Sequence, residues 1–421
     1  MWMELIMRNE YEALIIGGGF SGLIAAIVSA ARGKRTAILT KGAGSLSIGG
    51  GMIDLYGYTY EKKAVNKPFE AIRLLSSRHP YTLVGEDNIR TSLSFFQKLT
   101  CDNNYPYSSS DDANSWLPTA IGSIKPTFLR PAEVNPNVLK EAEQIIVLGI
   151  SGLKDFYPAL IVRGLKNRNR YSGKEFKICL MKNPYSSERD LNALDVARYI
   201  DREEGLEWFM REFGKRVPKN SVVLTPDILG AKPSAAVKKR IEDEIGAKCI
   251  EIPAMPPSVL GLRLRQLLIN ELKRHKAEII EVAEVVRADV EGKRCTAIYT
   301  IAPDKDRKYS AEKYIVATGG FFGGGCIAAP GKAWESIFKI DLCAPKNQEE
   351  WSGYELFGGR PHPFASMGVM VNNKLQALGA DGETLMENVH FIGRTLGGYD
   401  YGFEKSGNGV ALATAYVAGM E

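Results

Sequence analysis

Residues 11–22, YEALIIGGGFSG, decide the fold of this chain: a short, mostly apolar strand runs into glycines at 17, 19 and 22. That spacing is a G-x-G-x-x-G turn, and each glycine has its own reason. Gly17 permits the tight turn, Gly19 lets a pyrophosphate come up to the backbone, and Gly22 lets the following helix pack on the strand. Phe20 to Arg32 is rich in Ala and Ile and is stopped by Gly33, so it is expected as a helix. Lys34 to Thr40 (KRTAILT) then reads as a second strand. Strand, glycine turn, helix and strand form a β-α-β unit, which calls for a parallel sheet. The helix start offers unpaired amides and a positive dipole end to a phosphate. Gly17, Gly18, Gly19, Ser21 and Gly22 are therefore cofactor-binding candidates. The carboxylate that usually meets a ribose after the second strand is replaced by Thr40-Lys41. A Thr hydroxyl still bonds a ribose and Lys41 favours a phosphate. This disfavours NAD and leaves FAD, FMN and NADP open.

Residues 13–31 carry no charge, and a hydropathy window alone would flag a membrane span or signal peptide. The triple glycine at 17–19 interrupts that run, so strand, turn and helix explain it better. Across 421 residues, hydrophobic and charged fractions of 45% and 24% are those of an ordinary globular protein of two or three domains. A net charge of +5, with both signs interleaved, shows no nucleic-acid stripe. The six cysteines are scattered without any C-x-x-C pair and only four histidines accompany them. Iron–sulfur and zinc spacings are thereby excluded, no metal is expected, and a reducing compartment is implied.

Farther along, Gln144 to Ile150 reads as a strand and Asp195 to Phe213 as amphipathic helix. The proline-rich turn 252–257 marks a domain crossing. Leu264, Leu267, Leu268 and Leu272 recur at helical spacing within 260–275. A strand over 278–286 follows, then a meander from Arg294 to Ile301 that turns at Pro303-Asp304 and returns as Tyr309 to Ala317. The fold class expected is α/β: a three-layer, Rossmann-like FAD/NAD(P)-binding domain with an inserted α+β cap. The nucleotide domain is placed at 1–60, 258–325 and 366–421, and the cap at 61–257 and 326–365.

Three more glycine clusters carry cofactor candidates. Ser47, Gly49 and Gly50 lie in SLSIGGGMID (45–54), a loop suited to a planar or anionic group. Thr318, Gly319 and Gly320 end a strand where the chain passes close to a dinucleotide. Gly393 ends the strand 389–392, and Asn408, Gly409 and Val410 open a helix of small residues. The dipole of that helix would stabilise negative charge developing at the flavin N1–C2=O edge. Substrate candidates are Lys125 and Arg130 in IKPTFLRP, and Arg360 and His362 in GRPHP. These are cations placed to hold an anion such as a phosphate ester. Asp54 is a candidate acceptor for flavin or ribose, whereas His79 and His390 read as structural. No catalytic base is assigned, because electron chemistry belongs to the flavin.

In this order the motifs resemble the fumarate reductase and L-aspartate oxidase class of flavoproteins, where Ser-Lys often follows the second strand. The stretches SIGGGMIDLYGY (47–58), HPYTLVG (79–85), WLPTAIGSIKPTFLRPAE (116–133), LGISGLKDFYPALI (148–161), IEIPAMPPSVLGLRL (250–264), ATGGFFGGG (317–325) and GGYDYGFEKSGNGVALATAYVAG (397–419) resemble, over nearly the whole chain, the B subunits of anaerobic glycerol-3-phosphate dehydrogenase complexes. The resemblance implies a flavin protein, with FMN usually named, although a G-x-G-x-x-G turn suits the pyrophosphate that only FAD has. It implies a catalytic flavin dehydrogenase partner, the A subunit, which oxidises sn-glycerol 3-phosphate to dihydroxyacetone phosphate. It also implies an iron–sulfur partner, the C subunit, which docks on the membrane, with electrons passed on to quinone. The chain is then expected to be cytoplasmic and peripheral on the inner face of the cell membrane, with membrane contact only through partners. Two other readings stand beside this one: a flavin electron-relay or structural subunit that binds no substrate, and a stand-alone NADP-dependent reductase using Lys41.

Overall fold

Strand β1 (Glu10–Ile16), helix α1 (Phe20–Ala31) and strand β2 (Thr36–Thr40) form the β-α-β unit expected from the glycine turn. The computed structural model describes residues 9–185, 190–301, 306–355 and 361–421. β1 and β2 pair in parallel, from Ala13 opposite Thr36 to Ile16 opposite Leu39. All five residues of β2 are buried, as a strand covered on both faces requires. Gly33 ends the helix at φ +82°, its amide bonded to the Ala30 carbonyl.

The chain divides into two compact units, one of Met1–Gly44, Tyr58–Phe95 and Leu268–Glu421, the other of Ser45–Gly57 and Phe96–Leu267. In the first unit the strand order is Glu278–Glu281, β2, β1, Arg307–Val316, Arg294–Ile301, Glu284–Glu291. Strand 307–316 forks. Its first residues pair antiparallel with 298–300, and its last three pair in parallel with Val389–Phe391. One strand thus serves a parallel sheet and an antiparallel ribbon. The strand expected over 278–286 is broken at Val282, which takes φ +56°, a conformation a β-branched residue adopts only at a forced bend. There the chain leaves the parallel sheet, and Ala283 bonds back to the Thr40 carbonyl. The turn expected at Pro303-Asp304 lies outside the described residues.

Residues 61–95 and 326–365, expected in the cap, fall in the first unit, and the later seam lies at Leu268 rather than at the proline-rich turn. Local pairing gives the reason. Pro80–Val84 packs on the terminal helix Gly407–Met420. Cys326–Ala329 pairs with Lys332–Glu335, Ser336 bonds the Gly325 carbonyl, and Cys343 bridges to Gly368.

The second unit holds a four-stranded parallel sheet in the order Lys248–Ile252, Val222–Pro226, Gln144–Ile150, Glu175–Met181. Val147, Leu148 and Leu224 are fully buried in its core. The helical stretch 195–213 is two helices, Ala193–Ile200 and Glu203–Gly214, the first started by a reciprocal Asn192–Asp195 capping box. Arg263, only 1% exposed, grips Glu251 with two bonds of 2.6 and 2.9 Å and reaches the Gly230 carbonyl at 2.8 Å. Asp227 accepts from the Val259 and Leu260 amides at 2.8 and 3.2 Å and so caps the helix Val259–Arg274. Burial raises the Asp227 carboxyl to about 6.

Candidate functional site

The carboxyl ends of β1, strand 307–316 and strand 389–391 meet at three glycine turns, all in the first unit. The Gly17 amide bonds the Leu39 carbonyl at 2.8 Å, Ala317 bonds Ile16 at 2.8 Å, and Ile392 bonds Val316 at 3.0 Å. Ligands of open α/β sheets bind at this edge.

The glycines of the first turn differ in what surrounds them. Gly17 has φ +119°, and a Cβ there would run into the Ala317 carbonyl. One at Gly18 would meet the Thr40 side chain, and one at Gly22 would overlap the Gly17 carbonyl oxygen. Gly19 is the exception: nothing lies within 4 Å of its Cβ position. Gly19 is also the N-cap of α1, and no side chain caps that helix. The first amides of a helix have no intrahelical acceptor. An uncapped helix start facing open space, walled by backbone, fits a diphosphate. FAD has that group and FMN lacks it.

A second helix points the same way. Gly393 bonds the Thr414 hydroxyl at 3.1 Å, and its Cβ position lies 2.7 Å from the Ser21 hydroxyl and 3.9 Å from Ala411. Farther down, the Cβ position of Gly419 lies 2.7 Å from Val28. Both sequences advance together, so α1 and Gly407–Met420 run parallel, with their amino ends side by side at one edge. Asn408, Gly409 and Val410 lie in the first turn of the latter. Two positive dipole ends therefore converge. Thr395 donates to the Gly319 carbonyl at 3.4 Å, and the Cβ position of Gly320 lies 3.2 Å from the Arg394 carbonyl, which brings in Thr318, Gly319 and Gly320.

Thr40 is buried and its hydroxyl donates to the Gly42 carbonyl at 2.5 Å, shaping the turn after β2. Lys41 points outward, its side chain 71% exposed, and pairs with Glu284 at 2.6 Å. Sequence reasoning passed over Arg394. It borders a narrow cavity lined by Gly320, Phe321, Phe364, Met367 and Tyr401. Its guanidinium carbon stands 3.1 Å over the Tyr401 ring, and its buried Nε has no acceptor among the described residues. Burial lowers its pKa. The available signal was its place directly after Gly393.

His79 and His390 are buried and internally bonded. His79 accepts from the Tyr81 amide and faces Glu404 at 3.2 Å, while His390 Nδ1 lies 2.7 Å from the Lys374 carbonyl. His362 Nδ1 accepts from the Gly353 amide at 3.0 Å, and Arg360 lies outside the described residues.

The remaining candidates belong to the second unit. Gly50 packs on Pro253, the Gly49 carbonyl sits close to Gly261, and the Ser47 carbonyl accepts from the Ser258 amide at 2.8 Å. Lys125 is ion-paired with Asp54, whose buried Oδ1 has no partner. Arg130 is 3% exposed and, among the described residues, reaches hydroxyls, Ser108 at 3.1 Å and Ser110 at 3.5 Å. Its Nε is unpartnered, and it makes no ion pair among the described residues.

Comparison with known proteins bears on the family. A family model described as an FAD binding domain matches residues 12–410. The B subunit of the anaerobic glycerol-3-phosphate dehydrogenase of Vibrio cholerae is 28% identical over 97% of this chain and 95% of its own length. A probable B subunit of the same kind of dehydrogenase, from Halobacterium salinarum, is 30% identical over 98% of each. Among solved structures, a 3-ketosteroid Δ1-dehydrogenase from Sterolibacterium denitrificans aligns with a TM-score of 0.44 at 10% identity, covering 98% of this chain and 99% of that one. The chain belongs to the FAD binding domain family, within it to the B subunits of anaerobic glycerol-3-phosphate dehydrogenase, and its cofactor is a non-covalently held FAD.

Proposed function

We propose that this chain is the flavin-binding subunit of a membrane-associated, quinone-linked anaerobic glycerol-3-phosphate dehydrogenase. In this reading sn-glycerol 3-phosphate becomes dihydroxyacetone phosphate, and the electrons leave toward an iron–sulfur partner and then quinone. The carrying observation is similarity along 97–98% of the chain to proteins named as B subunits of that dehydrogenase. Bound FAD supplies a two-electron acceptor. The chain's own contribution is to hold and tune it. Gly17, Gly18, Gly19, Ser21 and Gly22 cradle the diphosphate, with Thr40 shaping the turn beside them. Thr318, Gly319, Gly320 and Gly393 bring backbone close to it. Asn408, Gly409 and Val410 present a helix start. Arg394 adds a cation at the same edge.

For the substrate, Arg130 is the strongest of the four cations. Among the described residues this buried guanidinium has hydroxyl partners and no counter-charge, and a phosphate monoester would supply one. Lys125 has its carboxylate already, in Asp54. The electron partners are a catalytic flavin dehydrogenase (the A subunit) and an iron–sulfur protein that docks on the membrane (the C subunit). A separate iron–sulfur partner is consistent with cysteines here too scattered to hold a cluster.

The test is spectroscopic. The purified chain is expected to be yellow and to release FAD on heating, identified by mass spectrometry. Its flavin band is expected to bleach when glycerol 3-phosphate is added to the complex assembled with both partners. A complex that oxidises glycerol 3-phosphate while the flavin of this chain stays oxidised would overturn the reading.

A further inference from the structure

Two stretches singled out by their resemblance, WLPTAIGSIKPTFLRPAE and LGISGLKDFYPALI, touch each other within the second unit. The hairpin Ser115–Pro118/Ile124–Thr127 ends in a tip at Ile121-Gly122. Gly122, at φ +72°, lies against the helix Pro158–Lys166: its Cβ position is 2.8 Å from the Leu160 carbonyl and 2.9 Å from the Cα of Gly164. Two glycines thus let backbone meet backbone, which holds the hairpin tip that carries Ile121 against the helix that carries Leu160. On the other flank, the Cβ position of Gly149 lies 2.6 Å from Pro158 and 3.2 Å from Leu180. Leu180 and Ile178 share one face of Glu175–Met181, which is the edge strand of its sheet. Cys179 and Met181, on the opposite face, are buried.

The result is a patch of five large apolar side chains around one short helix. Ile121, Tyr157, Leu160, Ile178 and Leu180 are each between 44% and 64% exposed. Large apolar side chains left exposed together on neighbouring elements point to an interaction site. Charge indicates what it meets. Residues 154–182 hold eight Lys and Arg against two Asp and Glu, a net +6, while the whole chain carries only +5. Lys154 and Lys177 are ion-paired, Lys174 bonds two carbonyls, and Arg170 lies over the Trp116 ring at 5.8 Å. Arg163, Lys166, Arg168 and Lys182 are exposed and make no ion pair among the described residues.

Exposed Leu, Ile and Tyr side chains, interspersed along 154–182 with cations that make no ion pair among the described residues, are complementary to phospholipid: acyl boundary for the apolar groups, anionic headgroups for the Lys and Arg. No described helix is long and apolar enough to cross a membrane, so the contact is peripheral. We propose that this face of the second unit docks directly on an anionic phospholipid surface, with Tyr157, Leu160, Ile121 and Leu180 entering the interface and Arg163, Lys166 and Arg168 meeting headgroups. This adds a direct lipid contact to the partner's docking in the proposed function, and it stands whether or not glycerol 3-phosphate is the substrate.

The test is sedimentation of the full-length, FAD-loaded chain with vesicles. Binding is expected to phosphatidylcholine vesicles containing phosphatidylglycerol, to fall as salt rises, and to vanish on pure phosphatidylcholine. Each Lys or Arg at such a surface is worth a factor of about five, so Arg163→Glu with Lys166→Glu should weaken binding about 25-fold or more. Leu160→Asn should also weaken it. Lys239→Glu, exposed on the helix Ala236–Ile245, should bind like the wild type. Melting curves establish that each variant folds. The proposal is overturned by equal binding to neutral vesicles, or by a double variant that binds like the wild type. It is equally overturned if no vesicle pellets the protein while the double variant loses a partner protein, which would make the patch a protein interface.

Discussion

Gly19→Ala separates cofactor binding from folding more cleanly than any other change in the glycine turn. Gly19 has φ −78°, so alanine meets no backbone strain, and no atom of the described structure lies within 4 Å of the added methyl. The methyl would occupy the space assigned to the diphosphate. Losing two charge-assisted hydrogen bonds at about 1.5 kcal/mol each costs about 3 kcal/mol, a fall in FAD affinity of about 150-fold. Folding should suffer little. Alanine is a poorer N-cap than glycine by about 1 kcal/mol, which lowers the melting temperature of the FAD-free protein by only about 2–4 °C. Gly22→Ala is the contrast, since its methyl would overlap the Gly17 carbonyl oxygen, where only backbone can move. That variant should fold poorly with or without FAD. The assays are calorimetric titration of FAD into stripped protein and thermal melts with and without FAD. Gly19→Ala binding FAD within about threefold of wild type, less than 1 kcal/mol, or a stripped form melting as low as Gly22→Ala, would refute the diphosphate cradle.

Two further predictions concern buried charge. Arg263→Met leaves Glu251 and Glu133 buried without their cation and should cost about 3–5 kcal/mol in denaturant unfolding, while adding Glu251→Leu should recover much of that loss. His390 is buried, which pulls its pKa down from 6.5 to about 4. The folded state therefore binds fewer protons than the unfolded one between those values, and stability present above pH 6.5 is lost as pH falls toward 4. The loss amounts to about 3 kcal/mol, and His390→Asn, which keeps the Nδ1-type donor to Lys374, should flatten that acid slope.

The β-α-β unit was legible because its signals are local. A glycine at each close approach, an alanine-rich helix and a two-face-buried strand all lie within one short consecutive stretch, and Gly33 stops the helix as expected. The strands 144–150 and 294–301 were legible for the same reason. The break at Val282 was not, because no residue type there announces a bend; the chain turns where it must leave the β2 edge. Nor were the seams between units, since a short helix such as Pro80–Val84 takes its side from what it packs against. Ser47, Gly49 and Gly50 looked like ligand-facing residues, and in the structure they also serve close packing against 253–261.

The sequence by itself determined a glycine turn of the kind that suits a diphosphate, because what matters there is backbone freedom, and glycine spacing declares it. Only the tertiary structure decided that α1 and the last helix start side by side, that Arg394 stands over Tyr401, and that Arg130 is buried with no carboxylate partner among the described residues. Each of those depends on residues far apart in the chain, and the energy of a charge or a dipole is set by the neighbours that folding brings to it.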